Sequence, residues 1–121
     1  MKRVLIIEDQ AEIRELIRLT LEMDDRIEIH EAANGVVGLE AAFRLAPTLV
    51  LLDVMMPGGL DGFQVCERLR ADARTRRAKV VMLSARTAAP DLQQARQAGV
   101  DEYLTKPFSP RQLLSVVDRL L

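Results

Sequence analysis

The sequence predicts an α/β fold, a doubly wound five-stranded parallel sheet covered by five helices. Apolar runs of strand length alternate along the chain with longer segments in which apolar residues recur at helical spacing. Three of the five runs are apolar throughout, and the other two contain polar residues. This division is the one expected for central and edge strands of a sheet buried on both faces.

Each predicted strand has a composition that indicates its place in the sheet. In chain order the runs are residues 4–7, 27–30, 49–52, 80–83 and 102–105. The first, third and fourth are the fully apolar ones. The second alternates between apolar and polar residues, and the fifth is short and mixed. The order 2-1-3-4-5, common among doubly wound sheets, places these two strands at the edges.

The helices are predicted from periodicity and from capping residues. In chain order they cover residues 10–23, 35–46, 62–70, 90–98 and a last segment that begins at residue 110. One face of the first helix carries Ile13, Leu16, Ile17, Thr20 and Leu21. Asn34, Asp61 and Ser109 stand at the N-cap positions of the second, third and fifth helices. Gln64 and Gln112 complete capping boxes with the last two of these caps.

Length and composition restrict the class of protein. We expect residues 1–121 to form one compact domain with a hydrophobic core. The net charge of -1 gives no sign of a nucleic-acid or membrane surface, and the apolar runs are too short to cross a bilayer. The single cysteine, Cys66, excludes an intrachain disulfide. These features fit a reducing cytoplasm.

Polar and charged side chains follow four of the five strands. Glu8 and Asp9 follow the first, Asp53 the third, Ser84 the fourth and Lys106 the fifth. Ligands of open parallel sheets bind beyond the carboxyl ends of the strands. We therefore expect these five side chains to share one edge of the sheet, although they lie far apart in sequence.

The expected cluster has the chemistry of a phosphoryl-transfer site. Three carboxylates about 4 Å apart repel one another by roughly 4 kcal/mol per pair at an effective dielectric near 20. A divalent cation compensates for this repulsion, and oxygen-only ligands favour Mg²⁺. Lys106 supplies a positive charge suited to a phosphoryl oxygen, and Ser84 supplies a hydroxyl donor. An aspartate can accept the phosphoryl group covalently as an aspartyl phosphate.

Five short motifs at these positions resemble those of response regulator receiver domains. They are Glu8-Asp9, Asp53-Val54-Met55-Met56-Pro57, Asp61-Gly62, Ser84-Ala85 and Tyr103-Leu104-Thr105-Lys106-Pro107-Phe108. Each motif alone is weak, but together they occur in order and each lies at its strand end. The resemblance covers essentially the whole chain.

The resemblance implies a role for each site residue. Asp53 would be the phosphoacceptor, and Mg²⁺ would be held by Glu8, Asp9 and Asp53 together with the backbone carbonyl of Met55. Lys106 would contact the phosphoryl group. The switch residues would be Ser84, which moves toward the phosphorylated site, and Tyr103, which follows by turning inward. The output face would consist of the fourth helix, the fifth strand and the fifth helix.

The implied function is a phosphorylation-dependent signalling switch of a two-component system, a regulatory protein and not an enzyme. The phosphoryl donor would be a sensor histidine kinase or a phosphotransfer protein, and the receiving partner a downstream effector domain or protein. The domain would catalyse only its own phosphotransfer and slow autodephosphorylation. We expect no direct contact with nucleic acid or membrane. The sequence is compatible with a phosphorylation-linked dimer, and with either a single-domain regulator or part of a longer one.

The sequence departs from the family pattern in two places. The family usually has fewer residues between the proline and the Asp-Gly pair than the Gly58-Gly59-Leu60 segment provides here, so we expect a loop longer by one residue. Ser84 stands where threonine is frequent; it keeps the hydroxyl and loses a methyl group.

Other interpretations remain open from the residues alone. Asp9 could also serve as a helix N-cap, with Glu12 completing a capping box. An aspartyl-nucleophile phosphatase of related fold usually places a second acid just after the first-strand nucleophile, whereas Gln10 and Ala11 follow Asp9 here. A flavodoxin-like binder needs a phosphate-cradling loop at this point, where the acidic pair would repel a phosphate. A degenerate receiver that acts only as a binding module predicts loss of the acidic or lysine positions, and none is lost.

Overall fold

The computed structural model describes residues 1–86 and 88–121 and confirms the predicted fold class. Within these residues, five parallel strands form one sheet in the order β2-β1-β3-β4-β5. The strands are β1 (Lys2–Ile7), β2 (Ile27–Ala32), β3 (Leu49–Asp53), β4 (Lys79–Ser84) and β5 (Glu102–Thr105). The predicted strand order is therefore correct, with β2 and β5 at the edges.

Helices cover both faces of the sheet. They are α1 (Ala11–Leu21), α2 (Gly35–Leu45), α3 (Gly62–Ala71), α4 (Ala89–Ala98) and α5 (Pro110–Leu120). Helices α1 and α5 pack on one face, and α2, α3 and α4 pack on the other. None of the helices described in residues 1–86 and 88–121 is long and apolar enough to cross a membrane.

The core consists of two apolar layers, one on each side of the sheet. Successive side chains of a strand point to opposite faces, so each central strand contributes to both layers. The layer under α1 and α5 contains Val4, Ile6, Leu49, Leu51, Val81 and Leu83. The opposite layer contains Leu5, Ile7, Val50, Leu52, Val80 and Met82. All twelve are fully buried, which confirms that the fully apolar runs are central strands.

The helix caps follow the sequence pattern closely. The Asn34 side chain accepts the backbone N–H of Val37 at 2.9 Å. Asp61 and Ser109 form reciprocal capping boxes with their glutamine partners at the starts of α3 and α5. These bonds satisfy backbone donors that the first turn of a helix leaves without a partner. The start of α3 is thereby fixed beside the end of β3.

Helix α1 differs from the expectation in its N-cap residue and in the exposure of Leu16. Its N-cap is Gln10, whose side chain makes no capping bond, so the interpretation of Asp9 as the N-cap is wrong. Leu16 is 41% exposed, although it belongs to the predicted apolar face. Ile17 and Leu21 pack on the sheet with no exposure. Leu16 instead lies at the margin of this face and lines a surface groove with Phe108.

Gly62 is required by the close approach of α3 to β3. A Cβ atom at this position would lie 2.4 Å from the backbone oxygen of Asp53 and 2.9 Å from Cα of Val54. Neither backbone atom can move away as a flexible side chain could. The absence of a side chain at Gly62 thus lets the helix hold the end of β3, where Asp53 lies.

Candidate functional site

The carboxyl ends of four strands converge on one cleft. Its volume is about 210 Å³, and its lining residues are Asp9, Gln10, Asp53, Met55, Ser84, Ala85 and Lys106. These residues come from the ends of β1, β3 and β4 and from the segment after β5. The parallel topology therefore brings together the side chains that the strand-end argument selected.

Three carboxyl groups meet at the base of this cleft. Glu8, Asp9 and Asp53 each offer a carboxylate oxygen, and these oxygens lie within 4.8 Å of one another. Glu8 is fully buried and Asp53 is 3% exposed. The Glu8 carboxylate accepts the backbone N–H of Gln10 at 3.1 Å, and that of Asp53 accepts the N–H of Met55 at 3.3 Å. Local backbone donors thus help to orient two of the three acids.

Lys106 is the counter-charge of the cluster. Its Nζ donates to Oε1 of Glu8 at 2.8 Å and to Oδ1 of Asp53 at 3.1 Å. Burial alone would lower the pKa of Lys106, but its contacts with Glu8 and Asp53 outweigh this effect and raise the pKa above its usual value. The ammonium therefore stays charged.

Asp53 has a strongly perturbed pKa. Burial, followed by the neighbouring carboxyl groups of Asp9 and Glu8, raises the pKa of Asp53 to about 7, and Lys106 only partly offsets these effects. In the metal-free protein Asp53 therefore binds a proton at a much higher pH than an ordinary aspartate does. A carboxyl group with a strongly shifted pKa in a cleft is a functional-site candidate.

Ser84 and Tyr103 share a backbone partner. Ser84 is buried at the end of β4, and its Oγ accepts the backbone N–H of Arg86 at 3.0 Å. The Tyr103 hydroxyl donates to the backbone carbonyl of Arg86 at 2.7 Å. The ring of Tyr103 is half-buried against the α2–α4 side of the core. The segment after β4 thus connects the cleft to β5.

Arg14 is a site neighbour that the sequence argument missed. Its Nη1 donates to the backbone oxygen of Glu8 at 2.8 Å, and its Nε lies 3.6 Å from the Glu31 carboxylate. The strand-end rule cannot find it, because Arg14 lies in α1 and reaches back to the loop before it. The only signal in the sequence is a basic residue one turn into the helix that follows the acidic pair.

The loop after β3 contains two adjacent glycines in an unusual backbone conformation. Gly58 and Gly59 both have positive φ angles, 95° and 106°. Residues other than glycine rarely adopt positive φ angles. Pro107, in the last motif, follows a cis peptide bond from Lys106.

The sequence matches a known protein family over nearly its whole length. The sequence profile of the response regulator receiver domain matches residues 4–118. The chain belongs to the response regulator receiver family. This receiver domain is 42% identical over 121 residues to the DNA-binding dual master transcriptional regulator RpaA of Synechocystis sp., covering 100% of this chain and 49% of that protein. It is 38% identical over 119 residues to the transcriptional regulatory protein ResD of Bacillus subtilis, covering 98% of this chain and 48% of ResD. The receiver domain thus spans about half the length of these curated relatives.

Solved structures show the same architecture. A chemotaxis protein of Vibrio cholerae superimposes on this receiver domain with a TM-score of 0.93 at 29% identity, covering 100% of this chain and 99% of that chain. The receiver domain of a sensor histidine kinase from Pseudomonas aeruginosa gives a TM-score of 0.88 at 27% identity, covering 98% and 96%. That second structure has a magnesium ion coordinated in its active site cleft. The chain is therefore a receiver domain of two-component signalling with the fold of the chemotaxis regulators.

Proposed function

We propose that this receiver domain is a phosphorylation switch in which Asp53 accepts a phosphoryl group from a phosphohistidine. The donor is a sensor histidine kinase or a phosphotransfer protein, and the recipient of the signal is an effector domain or protein. The observation that carries the proposal is the convergence of three carboxyl groups and Lys106 in one cleft, with Asp53 among them. Of the three acids, Asp53 is the one that forms the last residue of a strand, and it is 3% exposed.

The donor set fits Mg²⁺. All three acidic groups offer oxygen ligands, which suit this hard cation. With the three carboxyls ionised, their formal charge of -3 and the +1 of Lys106 leave -2, which a divalent cation balances. Glu8, Asp9 and Asp53 would hold the ion, together with the backbone carbonyl of Met55. When bound, the ion would supply charge neutralisation for the oxygens of the incoming phosphoryl group.

The residues of the chain account for the transfer. A carboxylate oxygen of Asp53 forms a bond to phosphorus while the bond from phosphorus to the imidazole nitrogen breaks, and the nitrogen keeps the electron pair of that bond. The products are an aspartyl phosphate and a histidine. If the phosphorylated imidazole was neutral, the ring leaves as an anion and takes up one proton from solvent; if it was already protonated, it leaves as neutral histidine. Before transfer, the ammonium of Lys106 stabilises the ionised form of the Asp53 carboxylate. After transfer, it is close enough to bond to a phosphoryl oxygen.

The contacts of Arg86 support a route from the site to the output face. A phosphoryl group on Asp53 would attract the Ser84 hydroxyl as a donor, and rotation of this side chain toward the phosphoryl group would break its bond with the N–H of Arg86. Because the Tyr103 hydroxyl bonds to the carbonyl of the same residue, a shift of Arg86 also frees this aromatic ring. The change would reach the face formed by α4, β5 and α5, where an effector or a second copy of the domain would respond.

The acceptor is tested by labelling with acetyl phosphate in the presence of Mg²⁺, followed by intact mass measurement. Wild-type protein should gain a single phosphoryl group, and Asp53→Asn should gain none. Asp61→Asn is the matched control, because it makes the same chemical change in a nearby acid while asparagine remains a good N-cap. Undiminished labelling of Asp53→Asn would place the acceptor elsewhere.

The metal is tested by thermal unfolding. Millimolar Mg²⁺ should raise the melting temperature of the wild type, because a ligand that binds the folded state stabilises it. The increase should be smaller for Asp53→Asn, which removes a charged ligand. An unchanged melting temperature in the wild type would exclude the metal site.

A further inference from the structure

The guanidinium of Arg14 bridges α1, the turn after β1 and the end of β2. Nη1 donates to the backbone oxygen of Glu8 at 2.8 Å, and Nε lies 3.6 Å from Oε1 of Glu31. The side chain is 23% exposed. Arg18, one turn further along α1, also faces Glu31, with Nε 3.7 Å from Oε2. The two arginines thus share an acidic neighbour, but the contact with Glu8 belongs to Arg14.

We propose that Arg14 is a positioning residue that fixes the peptide between Glu8 and Asp9 and thereby aligns the two carboxylates for Mg²⁺. The inference rests on the proposed metal site. A peptide unit is planar, so the orientation of the Glu8 carbonyl also sets the direction in which the chain leaves toward Asp9. Holding that oxygen therefore controls where the Asp9 carboxylate points.

Other bonds around Glu8 hold its remaining parts. Its backbone N–H bonds to the carbonyl of Ala32 at 3.1 Å, which fixes the end of β1 to β2. Its carboxylate accepts from Gln10 and from Lys106. Neither set of bonds engages the peptide plane that leads to Asp9. Because Glu8 is fully buried, loss of the Arg14 donor also leaves its carbonyl without this partner, and the turn must rearrange to find another.

The charge of Arg14 and its proposed positioning role predict opposite changes in Mg²⁺ affinity when the residue is replaced. A cation near an acidic cluster opposes the binding of a second cation, so removal of Arg14 by its charge alone would strengthen Mg²⁺ binding. Loss of alignment would weaken it. The two effects have opposite directions, and a measured Mg²⁺ affinity separates them.

The test is Mg²⁺ titration by calorimetry on the wild type and on Arg14→Met, with Arg18→Met as matched control. The control removes the same charge from the same helix beside the same glutamate. Arg14→Met should bind Mg²⁺ about 10-fold more weakly, the lower end of the effect of residues that orient metal ligands. Arg18→Met should stay within about 2-fold of the wild type, since its partners lie at the surface. Mg²⁺ binding by Arg14→Met as tight as that of the control would overturn the proposal.

Arg14→Lys tests the positioning role of Arg14 if Arg14→Met fails to fold. Lysine preserves the charge and offers a point donor without the planar fork of the guanidinium, so its Mg²⁺ affinity should lie between those of the wild type and Arg14→Met. Wild-type affinity in Arg14→Lys, with Arg14→Met unfolded, would overturn the positioning role. A wild type that shows neither a heat of Mg²⁺ binding nor a rise in melting temperature with Mg²⁺ would refute the metal site itself. A wild type that binds Mg²⁺ beside an equally tight Arg14→Met would refute only the role of Arg14.

Discussion

Replacement of Asp53 by asparagine should change how the stability of the metal-free domain depends on pH. In the folded protein, burial and the adjacent acids raise the pKa of Asp53 to about 7. In the unfolded chain an aspartate titrates near its ordinary value of about 3.9. Between these two values the folded state holds a proton that the unfolded state has lost. The wild type should therefore lose stability as the pH rises through this window, and the loss should level off above the folded pKa.

The size of the effect follows from the two pKa values. Each unit of difference corresponds to about 1.4 kcal/mol, and the interval from about pH 5 to about pH 8 covers most of the window. Integration over this interval gives a loss of roughly 2–3 kcal/mol from Asp53 alone. Asparagine resembles the protonated acid and does not titrate, so the variant should lack this loss.

The assay is urea unfolding of both proteins in EDTA across this pH range. The wild type and Asp53→Asn share every other titratable group, so the difference between their free energies of unfolding reports Asp53 together with its coupling to Glu8, Asp9 and Lys106. Relative to the wild type, the variant should become progressively more stable as the pH rises. Parallel pH profiles for the two proteins would show that the ionised acid is tolerated without cost, and would refute the reasoning. Saturating Mg²⁺ should reduce the difference, because a bound cation favours the ionised carboxylate.

Two further substitutions test the local structure around the site. At about pH 8, above the pKa of Asp53, Asp9→Ala should raise the free energy of unfolding in EDTA by about 1 to 3 kcal/mol. This is the repulsion between two charges 4.8 Å apart, the upper limit of the separations in the cluster, for a dielectric of about 80 to 20. No capping bond is lost, because Gln10 is the N-cap; equal or lower stability of the variant in urea would count against repulsion as the dominant effect. Gly62→Ala should lower the free energy of unfolding by at least about 2 kcal/mol, since its Cβ would overlap the backbone of Asp53. An unchanged urea midpoint in this variant would show that α3 can shift away from β3 freely.

The parts of the site that are predictable from sequence are those fixed by topology. The end of a parallel strand lies at one edge of the sheet whatever the details of packing, so Asp53, Ser84 and Lys106 could be grouped from the strand pattern alone. The caps Asn34 and Asp61 were equally accessible, because capping depends on residues a few positions apart.

The features that escaped prediction depend on packing between elements. Strand β2 continues to Ala32 because this residue pairs with Ile7 of β1, and the polar residues at its end give no hint of that register. The exposure of Leu16 depends on where the groove beside Phe108 lies. Arg14 reaches the site with a long side chain from a neighbouring helix. Sequence periodicity describes the face of a helix, but not how far a side chain extends past its end.

In the proposed mechanism, the burial of Asp53 explains how a single carboxyl group would serve as both acceptor and trigger. A solvent-exposed aspartate would ionise at little cost, and its phosphorylation would change few contacts. Asp53 is held where its charge is unfavourable, between Glu8 and Asp9 and under one ammonium. Any group that adds negative charge at this point must draw in compensating donors, and Gln10, Ser84 and Lys106 line the cleft with side chains that can supply them. The same desolvation that raises the pKa of Asp53 therefore couples, in the proposed mechanism, the phosphorylation state of this residue to the backbone of β4 and β5.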